Sequence, residues 1–198
     1  MRNDVTGVIL AGGLSRRFGS NKALAPWGDT TILQTICHIF QSIFSNNLVV
    51  IKNKSSFPSL SLGPCRIVED RLKNHHALGG IITALEVAST ENVFISACDT
   101  PLIQPELIQV LCSRHTEALA TIPVWGGKIQ PLCAVYTKSA LPLLQAAIER
   151  GQVKLQDALQ TLNPVWISDA ELRWAGISGW SFFDLDTRED YEYAKKRG

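Results

Sequence analysis

Residues 8–22 read VILAGGLSRRFGSNK, an apolar run that breaks into paired glycines and continues through a hydroxyl, two arginines, a third glycine and a lysine. Residues 5–10 are short and nearly all apolar, as a strand buried on both faces of a sheet must be. Gly12 and Gly13 then permit positive φ and close approach of backbone to a ligand. Consecutive N–H groups in such a loop bind anions, and Arg16, Arg17 and Lys22 add positive charge within a few residues. The segment therefore predicts a strand that delivers a phosphate-binding loop, although a tight strand-to-helix turn with solvated arginines is compatible with the same letters. Neither the GxxxxGK[ST] spacing nor the GxGxxG pattern is met.

The rest of the chain extends this beginning into an α/β pattern. Apolar runs at 6–10, 48–51, 66–68 and 93–97 alternate with helical periodicity, the signature of a parallel sheet covered by helices. Ile32, Leu33, Ile36, Ile39, Phe40 and Ile43 share one helical stripe, with Thr31 and Gln34 spaced as a capping box. Pro105 suits the first turn of a helix burying Leu107, Ile108 and Leu111, and residues 81–87 give a shorter apolar face. Two strand-like runs between 118 and 136 flank Trp125-Gly126-Gly127-Lys128, a hairpin that need not belong to the parallel core. Residues 141–162 read as two short helices broken near Gly151, residues 165–167 and 181–183 as strands, and a charged helix starts at about Arg188.

Composition narrows the function classes. The 198 residues suffice for one well-cored domain, and 19 basic against 18 acidic residues, a net charge of +1, leave no broad nucleic-acid surface. With no apolar stretch of membrane-spanning length and no signal peptide, a cytoplasmic protein is expected. Cys37, Cys65, Cys98, Cys112 and Cys133 lack CxxC spacing and read as buried free thiols.

Ligands of open α/β sheets sit at the carboxyl ends of strands, which draws attention to Asp70 and Asp99. Asp99 follows an apolar run in VFISACDTPLI, and a strand-tip carboxylate beside phosphates suits Mg²⁺, though it also suits a turn cap. Asp70 closes RIVED and also reads as a solvated strand end. His75 and His76 have no third group at a spacing that would support acid–base chemistry.

LAGGLSRRFGSNK resembles the LAGGxSxRMGxDK signature of the molybdenum cofactor guanylyltransferases and their sugar-phosphate nucleotidyltransferase relatives, with Phe18 and Asn21 in place of Met and Asp. CDTPLI is similar to the family's CDMPF or CDTP motif, whose aspartate holds magnesium. RIVED and HALGGI resemble its nucleoside aspartate and its GPLAGI segment, IQPLCAVY its QPLxALY segment, and FFDLDTREDY its FxNxNTPEDL tail, with Asp184 and Asp186 in place of asparagines. A carboxylate accepts hydrogen bonds where an amide can also donate. Related cytidylyl-transferring enzymes carry DIDTPED there, and Asp186 reads as a second metal ligand or as a cap of the following helix.

The resemblance implies a three-layer α/β/α domain spanning 1–198, of the nucleotide-diphospho-sugar transferase type, with a mostly parallel Rossmann-like sheet and a small β-hairpin. Its nucleotide part would cover about 1–104 and its acceptor part about 105–198. It implies Arg16, Lys22 and Asp99 as catalytic, Leu10, Ala11, Gly12, Gly13, Lys22, Asn53, Asp70 and Asp99 as nucleotide-binding, and Asp99 as the Mg²⁺ ligand. Lys52 competes with Asn53 for its place. Gly79, Gly80, Gln130, Pro131, Asp184 and Asp186 would face the acceptor. The implied reaction transfers GMP from GTP to the terminal phosphate of molybdopterin, and molybdenum cofactor delivery proteins are possible partners. The alternatives are cytidylyl transfer from CTP, a sugar-phosphate acceptor, or a nucleotide- or pterin-binding accessory protein without turnover.

Overall fold

The computed structural model describes residues 1–13, 18–19, 21–57, 61–152 and 154–197. Its elements in chain order are β1 (Arg2–Leu10), β2 (Pro26–Trp27), β3 (Thr30–Thr31), α1 (Ile32–Ile43), β4 (Phe44–Ile51), β5 (Arg66–Glu69), α2 (His76–Val87), β6 (Asn92–Ala97) and α3 (Pro105–Arg114). There follow β7 (Ala120–Trp125), β8 (Lys128–Ile129), β9 (Cys133–Thr137), α4 (Leu141–Glu149), α5 (Leu155–Gln160), β10 (Val165–Ile167), α6 (Asp169–Trp174) and α7 (Arg188–Lys195).

The main sheet runs β10-β7-β9-β6-β1-β4-β5. β1 pairs in parallel with both β4 and β6, and β4 in parallel with β5, whereas β9 is antiparallel to β6 and to β7. The segment that need not have joined the parallel core supplies two strands of the sheet, and of the described strands in it only β8 pairs off the main path. The physical reason is burial: every residue of β9 is buried, and so are the first four of β7, so both must be covered on two faces.

Alternation along the strands splits the core into two layers. Val5, Ile9, Val49, Ile51 and Phe94 meet α1, α3, α6 and α7, while Val8, Leu48, Val50, Val93 and Ile95 meet α2, α4 and α5. This is a three-layer α/β/α fold on a mostly parallel sheet. Helix α1 carries the capping box formed by Thr31 and Gln34, and Pro105 stands in the first turn of α3. A second capping box, Ser168 with Glu171, starts α6, a helix the periodicity of the sequence does not announce. Residues 181–183 do not form a strand. Gly179–Phe182 is a 3₁₀ turn whose Ser181 hydroxyl donates to the Gln104 side chain (3.0 Å) and accepts the Gln104 N–H (3.1 Å), tying the segment to the start of α3.

The parallel register aligns the carboxyl ends of four strands. Leu10 lies opposite Val50 and Ala97, and Ile51 opposite Glu69. Backbone bonds continue past the strand ends: Ala11 N–H to Val50 C=O (2.8 Å), Asp70 N–H to Ile51 C=O (2.7 Å) and Cys98 N–H to Leu10 C=O (3.1 Å). The residues that carry charge just after each strand are thus fixed by the sheet itself.

Candidate active site

A cleft of about 840 Å³ opens along this edge, and a second of about 480 Å³ adjoins it. The first is bordered by Gly12, Gly13, Lys22, Lys52, Asp70 and Asp99, the second by Gln130, Pro131, Lys154, Gln156 and Asp184. Asp99 and Asp186 border both.

Lys22 and Asp99 form the junction. Asn21 accepts the Ala23 N–H (3.2 Å) and donates to Ser56 C=O (3.0 Å), which sets the 3₁₀ turn Lys22–Leu24. The buried Lys22 then reaches Asp99, with Nζ 3.0 Å from Oδ2, and lies 4.0 Å from Asp186 Oδ1. Leu185 N–H donates to Asp99 C=O (3.0 Å), so the tail carrying Asp184 and Asp186 is tied to the end of β6. Packing around the Asp184 carboxyl strips water from it although the residue keeps an exposed edge. Repulsion from Asp99 and Asp186 adds to this, and the pKa of Asp184 is raised to about 6 against the opposing pull of Lys22 and Lys128. Burial and the neighbouring Asp99 push the Cys98 thiol up to about 12, so it is no nucleophile at neutral pH.

The same junction suits a hard cation. Asp99 Oδ1 is buried without a hydrogen-bond partner, an acceptor of the kind that coordinates Mg²⁺. Among the described residues no group of three or more His, Cys, Asp and Glu side chains is placed to hold a metal ion by itself. A cation here would take its remaining ligands from phosphate oxygens and water, the donor set Mg²⁺ prefers.

Of the other residues singled out in the sequence, Leu10 and Gly80 border the first cleft. Gly80 thus lies on the side of Gly12 and Gly13 and not beside Gln130. Gly79 borders neither cleft: a Cβ there would stand 2.3 Å from the Leu72 carbonyl oxygen, so its lack of a side chain serves helix packing. Ala11 is buried with its N–H committed to β4. Asn53 is turned away, accepting the Ser55 N–H (3.0 Å) and O–H (2.9 Å). Lys52 takes the cleft position, because the ladder between β4 and β5 extends through Ile51 and Asp70 and leaves the next residue facing Asp70. Gln130, Pro131 and Asp184 are brought together at the second cleft, where Tyr136 O–H holds Pro131 C=O (2.8 Å). Arg16 lies outside the described residues. His76, Asn74 and Ala77 also border the first cleft, and no spacing rule in the sequence signals them.

A mostly parallel sheet with Gly12 and Gly13 just past one of its central strands, neither of them at positive φ, a buried lysine on a strand-tip aspartate and two adjoining clefts suits a nucleotidyltransferase. A family model described as "MobA-like NTP transferase domain" matches residues 7–165, and the chain belongs to that family. A protein of Chloroflexus aggregans described as "Probable molybdenum cofactor guanylyltransferase" is 34% identical over 94% of this chain and 91% of its own length. A protein of Pyrococcus furiosus with the same description is 33% identical over 96% of both. The crystal structure of molybdopterin-guanine dinucleotide biosynthesis protein A from Archaeoglobus fulgidus superposes with a TM-score of 0.84 at 25% identity, covering 97% of each chain.

Proposed function

We propose that the protein transfers GMP from GTP to the terminal phosphate of molybdopterin, releasing pyrophosphate and completing the guanine dinucleotide form of the molybdenum cofactor. The observation that carries this reading is the shared wall of the two clefts: Asp99 and Asp186 border both, so a nucleotide α-phosphate and an acceptor phosphate can meet there. The names of the relatives support the choice of GTP and molybdopterin.

Attack by an acceptor oxygen on the α-phosphorus needs no general base, since a phosphate monoester with a second pKa near 6 is largely ionised at neutral pH. This agrees with a cleft whose described residues offer cations and carboxylates. Gly12 and Gly13 would offer backbone donors to the triphosphate, and Lys22, with Arg16 from the same loop, would offset charge on the departing pyrophosphate. Asp99, with Asp186 beside it, would hold Mg²⁺. When bound, that ion would neutralise phosphate charge and orient the reacting oxygens. Catalysis by these side chains is positioning and electrostatics. Gln130, Pro131 and Asp184 would receive the pterin from the second cleft. Among the described residues no helix is long and apolar enough to cross a membrane, and we place the reaction in the cytoplasm.

Pyrophosphate release by the purified protein with Mg²⁺ and molybdopterin, compared across GTP, CTP, ATP and UTP, tests the reading. Release with GTP alone is expected. A preference for CTP would replace it with cytidylyl transfer, and nucleotide binding without release with any of the four would replace it with an accessory role.

A further inference from the structure

Asp70 is 2% exposed, and both of its oxygens are engaged. Oδ1 accepts the Leu72 N–H (2.8 Å) and the Thr83 O–H (3.1 Å), and Oδ2 pairs with Lys52 Nζ. A carboxylate so enclosed acts on a ligand through its partner, and that partner is Lys52. The Lys52 stem lies over Gly12, where a Cβ would stand 2.6 Å from Lys52 Cγ, and its Nζ is 3.3 Å from the His76 carbonyl oxygen. His76 has φ 48° and ψ −133°, a conformation that residues with side chains rarely adopt. Backbone strain of this kind persists only where the surroundings impose it, and it collects at ligand sites. Here the strained residue carries the carbonyl that faces Lys52.

The order of strands gives the place along the nucleotide. Asp99 follows β6, Gly12 follows β1, Lys52 follows β4 and Asp70 follows β5, and these strands are successive neighbours in the sheet. With the phosphates placed at Lys22 and Asp99 as proposed above, the nucleoside would extend toward β4 and β5, and its base would come to the wall built by Lys52.

We propose that Lys52, positioned by Asp70, Thr83 and the His76 carbonyl, selects the base: it favours a purine that turns a carbonyl oxygen toward this wall, as guanine does, over one that turns an amino group, as adenine does. An ammonium attracts the O6 acceptor of guanine and meets only another donor in the N6 amino group of adenine. This inference rests on GTP being the nucleotide substrate.

The test is equilibrium binding of GTP and of ATP, with Mg²⁺ and without acceptor, to the wild type and to four variants. Lys52→Met alone strands the Asp70 charge, so the double variant Lys52→Met/Asp70→Asn, which removes both charges, guards against loss of folding. The expected result is a GTP preference in the wild type that falls at least about tenfold in the double variant, the effect of losing one hydrogen bond from a charged donor, with ATP affinity kept within about twofold. Lys52→Arg should retain the preference. Thr83→Val, which acts only through Asp70, should lower the GTP to ATP ratio, whereas a purely structural role would lower the melting temperature and leave the ratio alone. A wild type that prefers GTP beside a folded double variant with an unchanged ratio would overturn the role of Lys52 and leave guanylyl transfer standing. Equal losses for GTP and ATP would overturn it too, placing Lys52 on the ribose or phosphates. A wild type with no preference for GTP would remove both this inference and the reading on which it rests.

Discussion

The backbone N–H of Leu185 donates to the carbonyl of Asp99 at 3.0 Å, and this one bond seats the C-terminal tail against the end of the central strand β6. It brings the residues that flank Leu185, Asp184 and Asp186, to a residue already fixed by the sheet, with Asp99 and Asp186 both near Lys22. Three carboxylates near one ammonium leave negative charge in excess, which a bound cation would offset.

The first expectation concerns Asp99. With one oxygen on Lys22 and the other buried and unpartnered, Asp99→Asn keeps the shape and the contact to Lys22 while weakening the hold on a cation. Pyrophosphate release should fall by about a hundredfold or more, the scale of removing a principal electrostatic group. Thermal melting should show the fold retained. Turnover close to the wild type in the folded variant would remove Asp99 from the metal site.

Asp184 gives an expectation with a defined sign. Its pKa of about 6 in the folded protein lies above the ordinary 3.8, so the unfolded chain releases this proton more readily than the folded one. The stability it contributes is complete below about pH 4 and is lost as pH rises through 6. Asp184→Asn should therefore be more stable than the wild type at pH 7.5 and indistinguishable near pH 4. Urea denaturation at the two pH values checks this.

His115 acts in the opposite direction. Its Nδ1 meets Thr121 Oγ1 at 2.9 Å, its Nε2 is buried without a partner, and burial lowers its pKa from 6.5. The folded protein resists protonation that the unfolded chain accepts, so stability present above pH 6.5 is lost as pH falls below it. In the wild type this loss offsets the gain from Asp184. His115→Gln should uncover that gain, with a melting temperature that rises more steeply from pH 7 to pH 5 than in the wild type. Parallel profiles would show that His115 does not titrate during unfolding.

The parts of the fold legible in the sequence are those set by local rules. Parallel strands buried on both faces leave unbroken apolar runs, and the capping box of Thr31 and Gln34 marks the start of α1 wherever the helix later packs. The insertion of β9 between β6 and β7 is different, because antiparallel pairing with distant strands leaves no local trace. Phe182 and Phe183 suggest a strand by composition, yet the hydrogen bonds of Ser181 to Gln104, which tie the segment to the start of α3, come from a residue far away in the chain. At the site, Asp70 and Asp99 stand out because they follow strands, and Lys22 because it closes the glycine-rich stretch after β1. The choice between Lys52 and Asn53 turns on which of them the ladder points inward, and the strained backbone of His76 can be seen only in three dimensions.

The glycines of the site separate stability from binding, and this is the last expectation. A Cβ at Gly79 would lie 2.3 Å from the Leu72 carbonyl oxygen, backbone that cannot move without shifting α2. Gly79→Ala should cost about 1–3 kcal/mol of stability, as overpacking generally does. At Gly12 the obstacle, 2.6 Å away, is the flexible stem of Lys52, so Gly12→Ala should displace that side chain and weaken nucleotide binding with little change in melting temperature. At Gly13 nothing lies within 4 Å, and Gly13→Ala should leave the unliganded protein as stable as the wild type while obstructing a phosphate that approaches the loop backbone. Melting temperatures and GTP titrations of the three variants, read side by side, check the division. A Gly12→Ala protein with unaltered GTP affinity would show that the loop and Lys52 do not share the nucleotide.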